Sequence, residues 1–314
     1  MIRWLDVAAP AELVGAKLAR LADLRGAGFA VPRGFAVTTE AYRRQRAEPG
    51  GLASPLAEPL RGAIIAACAE LRPPLAVRSS ATGEDGDQAS FAGVFDSYLG
   101  VAGPAEALAA VQRCWASLHS ERAREYGVDQ ATASMAVGVQ EVVAARAAGV
   151  AFSLDPVSGR RDRVVIEASW GWGEAVVQGL VTPDRAEVER DGRRLLRYDV
   201  APKELISTPT LARMPERLRA APALDGAQAS AVADTVLRVE QHLGQPVDVE
   251  WVLDPAGEVW IVQARPVTAA PDEPPPPRWD PAAAITPADA ITPTTPARST
   301  PISRPRRGSS PAAG

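Results

Sequence analysis

The twenty residues VDVEWVLDPAGEVWIVQARP, 247–266, constrain this chain more tightly than any other stretch. Polar and apolar positions alternate over 247–251 and again over 262–265, on either side of Asp254-Pro255-Ala256-Gly257, and a period of two flanking a turn fits an antiparallel ribbon with one face in the core. Pairing Leu253 with Glu258 across the turn sets Asp248 opposite Gln263 and Glu250 opposite Ile261. Val249, Trp251, Leu253, Trp260 and Val262 then share the apolar face, and Asp248, Glu250, Gln263 and Arg265 share the other. Two carboxylates, an amide and a guanidinium on one sheet face suit a divalent metal with phosphate, because hard oxygens bind Mg2+ and arginine neutralises phosphate oxygens. A solvated face with a surface ion pair is the alternative, and spacing alone leaves both open.

The rest of the chain is organised around similar signals. Leu13, Val14, Leu18, Leu21 and Leu24 recur at helical spacing, so residues 11–27 are expected to form an amphipathic helix carrying Lys17. A strand over 35–38, helices over 39–46 and 56–71, a strand over 75–78 and one long helix over 104–126 follow. From Met135 onward, strands dominate in MAVGVQEVV, GVAFSL and RVVIEAS, and AEVER-DG-RRLLRYDV reads as a hairpin; a helix over 227–243 precedes the final ribbon. Helices and strands segregated in this way predict an α+β fold divided into 1–134 and 135–268, with a joint near 133–140. After Thr268 the character changes: twelve of the 29 prolines fall in 269–314, so this segment is expected to be a Pro-rich disordered tail or linker.

Composition narrows the function. A formal charge of −4 gives no general basic field, so nucleic acid is not the expected partner. There is no apolar run long enough for a membrane span and no basic-then-apolar leader, which makes the cytoplasm the default expectation. Cys68 and Cys114 lack metal or redox spacing and read as buried thiols. His119 and His242 fall near helix ends and read as capping or half-buried groups. Lysine occurs only at positions 17 and 203 against a background of arginine, which marks both as candidates for a task that needs a compact ammonium.

A second chemical segment is AVRSSATGEDGDQASFAGVFDSYLGV, 76–101. Arg78 is expected to end a strand, and Ser79, Ser80, Ala81, Thr82 and Gly83 then offer hydroxyls and close backbone N–H groups, the chemistry of a phosphate cradle. Ser90, Phe91, Ala92 and Gly93 suit a flap whose Phe covers a ligand; an ordinary Gly/Ser surface loop is the plain alternative. A third segment, IEASWGWGEAVVQG at 166–179, follows a strand and places Glu167 and Glu174 within reach of the same region.

Taken together, these blocks resemble the N-terminal nucleotide-binding domain shared by phosphoenolpyruvate synthase, pyruvate phosphate dikinase and rifampicin phosphotransferase. The resemblance covers about residues 12–268, through GAKLARLADLRGAGFAVPRGFAVTTEAYRR, the 76–101 segment, MAVGVQEVV, GVAFSLDPVSG, VVIEASWGWGEAVVQGLVTPDRAEVER and DVEWVL with VWIVQARPVT. It implies a two-lobed ATP-grasp type fold that clasps ATP and Mg2+. On that resemblance Lys17 and Arg78 hold phosphates, and Ser79 to Thr82 and the 90–95 flap with Phe91 and Gly93 close over them. Gln140, Glu141 and Val143 belong to the strand that reads the adenine edge, and Glu174 lies beside the nucleotide. Glu250 and Gln263 match the metal-ligand positions, Asp248 is a further ligand or an orienter, and Arg265 matches a phosphate-binding arginine. The family splits ATP to AMP and passes a phosphoryl group to a histidine on a swivelling domain, which relays it to pyruvate or an antibiotic.

Departures from the pattern matter. The family's Gly-Gly-Lys is Gly15-Ala16-Lys17, and a usual asparagine three residues on is Arg20. No segment resembles the Thr-Ser-His stretch of the phosphohistidine domain, and no pyruvate-binding barrel follows. The expectation is a phosphotransferase half that needs a histidine-bearing partner; the alternatives are a non-catalytic ATP-binding regulatory module and a scaffold that binds no nucleotide.

Overall fold

Two antiparallel sheets organise the protein, and the helices divide between their faces. The computed structural model describes residues 1–82, 95–129, 132–208 and 210–267, with the backbone of 85–86 and 89–90. In chain order the first elements are β1 (Ile2–Trp4), α1 (Ala11–Gly26), β2 (Gly34–Val37), α2 (Thr39–Ala47), α3 (Glu58–Ala69), β3 (Leu75–Ala81), the short pair β4 (Asp85–Gly86) and β5 (Ala89–Ser90), and β6 (Ser97–Val101). Next come α4 (Pro104–Ser117), α5 (Glu121–Glu125), β7 (Met135–Glu141), β8 (Ala147–Phe152), β9 (Arg163–Trp170), α6 (Glu174–Val177), β10 (Asp184–Glu189) and β11 (Leu195–Asp199). The last are β12 (Leu205–Ser207), β13 (Leu211–Arg213), α7 (Glu216–Arg219), α8 (Gly226–Leu243), β14 (Val247–Leu253) and β15 (Val259–Pro266).

The first sheet runs β1-β2-β7-β3-β6 and the second β11-β10-β9-β8-β14-β15. β7 pairs with β2 and β3, so it belongs to the first sheet. The change of sheet therefore falls in the connector between β7 and β8, after the expected division at 134. One face of the first sheet, with Phe35, Val37, Leu75, Val77 and Val139, packs on α2, α3 and α4 through Tyr42, Ile64, Val111 and Trp115. Alternation sends Ala36 and Ala136 to the other face, where they join Leu18, Leu21 and Leu24 of α1. The same core takes in Val232, Ala233 and Val236 of α8 and the inner residues Ile166, Val249, Trp251 and Ile261 of the second sheet. Helix α1 thus packs against both sheets.

Close approach fixes that helix. Gly15 breaks its regular geometry at φ 75°, ψ 158°. A Cβ at this position would lie 2.1 Å from Ser80 Oγ and 2.3 Å from Ser80 O, so only glycine lets the chain touch β3 here. The expected continuous helix is therefore two pieces.

Two other expectations change. The long helix over 104–126 is α4 and α5, divided where Ser120 caps the second by accepting from Ala123 N–H at 3.1 Å. The strand expected over 75–78 continues to Ala81, held along its length by β7. The helix expected over 227–243 is α8, opened by an Asp225/Gln228 capping box and closed by left-handed Gly244. Cys68 and Cys114 are buried free thiols, burial raising the first to about 11 and the second to about 12. Tyr42 Oη and His119 Nε2 lie 2.9 Å apart, and His242, in the last turn of α8, meets Asp23 at 2.8 Å. Among the described residues no helix is long and apolar enough to cross a membrane. The 269–314 segment lies outside the described residues.

Candidate functional site

The ribbon β14–β15 faces the first sheet, and its register decides which side chains look out. Leu253 pairs with Val259, Val252 with Trp260 and Trp251 with Ile261; beyond a bulge Glu250 pairs with Gln263, Val249 with Ala264 and Asp248 with Arg265. The expected pairs Leu253–Glu258, Asp248–Gln263 and Glu250–Ile261 are thus each displaced. Trp260 and Val262 leave the apolar face, which is built instead from Val247, Val249, Trp251, Leu253, Ile261 and Ala264. Asp248, Glu250, Gln263 and Arg265 do share the opposite face.

A cavity of about 750 Å³ opens on that face. Lys17 of α1, Arg78 of β3, Glu174 of α6 and Glu250, Gln263 and Arg265 of the ribbon all line it. An adjoining pocket is apolar, walled by Pro32, Ala76, Leu99, Val142, Val143, Trp172, Val177, Val252 and Val262, with Gln140 and Glu141 at its polar edge. Arg78, Leu99, Glu174, Val177 and Glu250 line both spaces, so cationic cavity and apolar pocket form one continuous site.

Inside it the charges are compensated. Arg78 reaches across from the first sheet, with Nη1 3.5 Å from Glu250 Oε2 and donating to Val262 O at 3.2 Å. Arg265 donates to Asp248 Oδ2 through Nε at 2.7 Å and approaches it with Nη2 at 2.6 Å. Asp248 is buried and committed to that guanidinium, which makes it the orienter of Arg265. Burial pushes its carboxyl above the ordinary range against the pull of Arg265, and neighbouring Glu250 and Glu167 push the same way. Burial likewise raises Glu174, with Arg78 opposing and Glu250 adding. Glu167 stands in the cross-strand row of Glu250, with Val150 between them.

Among the described residues, Ser79, Ser80 and Thr82 do not form the hydroxyl cradle expected from sequence. Ser79 and Ser80 lie within β3, opposite Val137 and Ala136. Ser79 alternates to the face of Val77 and Ala81, away from Arg78. Ser80 is fully buried against Gly15, and its Oγ accepts from Leu18 N–H at 3.4 Å. Thr82 donates its hydroxyl to Ser134 O and accepts from Ser134 N–H, both at 3.1 Å. Extending the strand by three residues turned a proposed loop into sheet. Phe91 and Gly93, the expected flap, lie outside the described residues.

Lys203 is equally remote from the cavity. It is fully buried and ion-paired with Asp184, which also accepts from Tyr198 Oη at 3.1 Å, Ala201 N–H at 2.9 Å and Ala223 N–H at 2.8 Å. Its compact ammonium anchors the 199–225 crossing rather than a ligand.

Sequence reading missed Tyr98, Leu99, Arg122 and Trp172, which line the two spaces, and Arg20, whose Nη1 donates to Ala264 O at 2.7 Å. The arginine in place of the family's asparagine was the available signal for the last. The others come from β6, α5 and the turn before α6, whose placement depends on sheet pairing.

A family model described as the pyruvate phosphate dikinase AMP/ATP-binding domain matches residues 51–280. A phosphoenolpyruvate synthase of Aeropyrum pernix is 34% identical over 346 residues, covering 85% of this chain and 42% of that protein. A rifampicin phosphotransferase of a Streptomyces species is 40% identical over 310 residues, covering 84% of this chain and 35% of that one. The chain thus spans well under half the length of these relatives. The VanG D-Ala:D-Ser ligase of Enterococcus faecalis aligns over 79% of this chain and 50% of its own at 15% identity with a TM-score of 0.39, too distant a likeness to argue from.

Proposed function

The chain belongs to the pyruvate phosphate dikinase AMP/ATP-binding domain family, and on that premise we propose that its cavity binds ATP with Mg2+ and makes it the phosphoryl-donor part of a phosphotransferase. The observation that carries this reading is the convergence of Lys17, Arg78 and Arg265, from three different elements, on a space shared with Glu250 and Gln263. Three cations around one volume suit a triphosphate, and the adjoining apolar pocket suits a purine.

The two sheets then act as the lobes of an ATP-grasp type clasp, with the lobe boundary in the β7–β8 connector. Glu141 N–H is held by Arg33 O at 2.9 Å and Val142 N–H by Pro74 O at 3.0 Å, whereas Val143 N–H meets no backbone carbonyl among the described residues. That amide is left for the base edge, with Gln140 and Glu141 flanking it. Gln140 donates Nε2 to Pro32 O at 3.3 Å, which fixes the side chain.

The donor set fits Mg2+. Glu250 supplies a carboxylate oxygen and Gln263, directly across the ribbon, an amide oxygen. Among the described residues no three His, Cys, Asp or Glu side chains converge as a metal cage. Mg2+ is held by one or two carboxylates together with substrate phosphates and water, so a small protein contribution is the expected one. When bound, the ion would neutralise charge on the phosphate oxygens. Lys17 places a point charge and Arg78 and Arg265 place planar donors around the chain of phosphates, holding it in line for transfer. Asp248 keeps the Arg265 fork aimed into the cavity.

The same proposal takes ATP to AMP and assigns the accepting histidine to a further domain, in a cytoplasmic setting. Calorimetric titration with ATP and Mg2+ tests binding, and absence of saturable heat would refute the nucleotide reading. Release of AMP in a mixture with a histidine-bearing domain from a relative tests transfer. Binding without AMP under any pairing would leave a non-catalytic nucleotide module.

A further inference from the structure

We infer that Arg78 is a specificity-determining residue: it closes the metal position to the free ion and yields it only to the metal–nucleotide complex. The inference rests on the nucleotide reading above. Three observations carry it. First, Arg78 holds one of the two proposed ligands, the Glu250 carboxylate at 3.5 Å, and is anchored beside the other by the carbonyl of Val262 at 3.2 Å, the residue before Gln263. Second, the remaining ribbon carboxylate is committed, because Asp248 takes contacts from two Arg265 nitrogens at 2.7 and 2.6 Å. Third, Lys17, Arg78, Arg122 and Arg265 stand against Asp96, Glu174, Glu250 and the Asp248 that holds Arg265, so the site carries no surplus of carboxylates to attract an ion.

A dication arriving alone therefore meets a carboxylate that already has a counter-cation. A nucleotide changes that condition. Its phosphates offer Arg78 a bidentate partner of higher charge than Glu250, and withdrawing the guanidinium releases the carboxylate oxygen to the ion that the same phosphates carry. Arg78 comes from the first sheet and Glu250 from the second, so the exchange also replaces a direct sheet-to-sheet ion pair by one bridged through ligand.

The test counts free Mn2+, standing in for Mg2+, by electron paramagnetic resonance in the presence of the full chain, with and without ATP, against the same solutions lacking protein, so that Mn2+ held by ATP alone is subtracted. Wild-type protein is expected to take up Mn2+ with ATP beyond that reference and only weakly without ATP. Arg78→Gln is expected to take up Mn2+ alone at least about tenfold more tightly than wild type, and the double variant with Glu250→Gln to lose that gain. Equal uptake of Mn2+ alone by wild type and Arg78→Gln would overturn the inference while leaving nucleotide binding intact. No uptake by wild type even with ATP would instead overturn the nucleotide reading on which it stands. Should Arg78→Gln fail to fold, Arg78→Met carries the same comparison, since it also removes the counter-cation of Glu250.

Discussion

Glu250→Gln should separate two effects that act in opposite directions. The substitution keeps size and hydrogen-bonding capacity but removes the charge that serves both Arg78 and the proposed metal. At 3.5 Å, two unit charges attract by about 5 kcal/mol at an effective dielectric near 20. Arg78 and Glu250 are 24% and 19% exposed, and screening brings the net worth of such a pair to about 1 kcal/mol. With Mg2+ present, loss of the carboxylate removes a charge-assisted ligand worth about 1.5–3 kcal/mol, and ATP affinity falls about 10- to 150-fold. With Mg2+ removed by chelation the sign reverses: Arg78 no longer has to leave Glu250, and affinity rises by up to about fivefold. Glu258→Gln, an exposed turn residue beyond the bulge, changes neither titration. Calorimetry on the three proteins with ATP, with and without chelator, gives the answer. Equal weakening by Glu250→Gln in both conditions, or an equal effect from Glu258→Gln, would refute the reasoning.

Three other substitutions probe the scaffold that holds this site. Lys203→Met strands the buried Asp184 carboxylate and should cost about 3–5 kcal/mol in urea unfolding, without changing the ATP affinity of the protein that remains folded. Gly15→Ala forces a Cβ into Ser80 at a positive φ; a loss of at least about 2 kcal/mol is expected in the same assay, and an unchanged midpoint would mean that α1 does not seat on β3. Arg20→Ala removes the 2.7 Å bond to the carbonyl between Gln263 and Arg265. It should weaken Mg-ATP by about three- to tenfold with a smaller change in unfolding midpoint, and Arg20→Lys should recover part of the loss.

Apolar pattern located most of the elements because burial leaves its mark on the sequence. The apolar runs of β7, β8 and β9, strands covered on both faces over most of their length, and the heptad-like spacing in α8 report burial directly, and burial is what the fold selects. Local pattern was silent about partners. The first sheet takes β7 from beyond the expected division at 134, a pairing between segments about 60 residues apart that no local signal encodes. Ser79 and Ser80 show the cost: as isolated residues they suit a loop, but backbone pairing to β7 carries the strand through them. Lys203 shows a related limit, since the scarcity of lysine marked it correctly as special and could not say that its partner was a buried aspartate.

The ribbon illustrates how a correct face can follow from an incorrect register. Continuing the pairing set at the turn, Leu253 with Val259, would put Gln263 opposite Val249 and bury its amide among apolar side chains. The bulge between Glu250 and Trp251 on one strand, absorbed by Val262 on the other, advances the register by one residue and so reverses every later side chain. Gln263 and Arg265 turn outward beside Glu250 and Asp248, while Ala264 takes the inward position. An uninterrupted hairpin drawn from Leu253 and Glu258 has the same parity beyond this point, which is why the four polar residues were legible as one face although none of their pairings was. It has the opposite parity before it, which is why Trp260 and Val262 were misplaced. The same bulge presents the Val262 carbonyl to Arg78. The bulge therefore keeps the proposed metal ligands on one face despite the extra residue in β15, and supplies the contact through which Arg78 guards them. Deleting Val262 should restore a regular ribbon that still sets Gln263 opposite Glu250, and so retain Mg-ATP binding; loss of binding by a folded deletion variant would show that the ligands need the bulge itself.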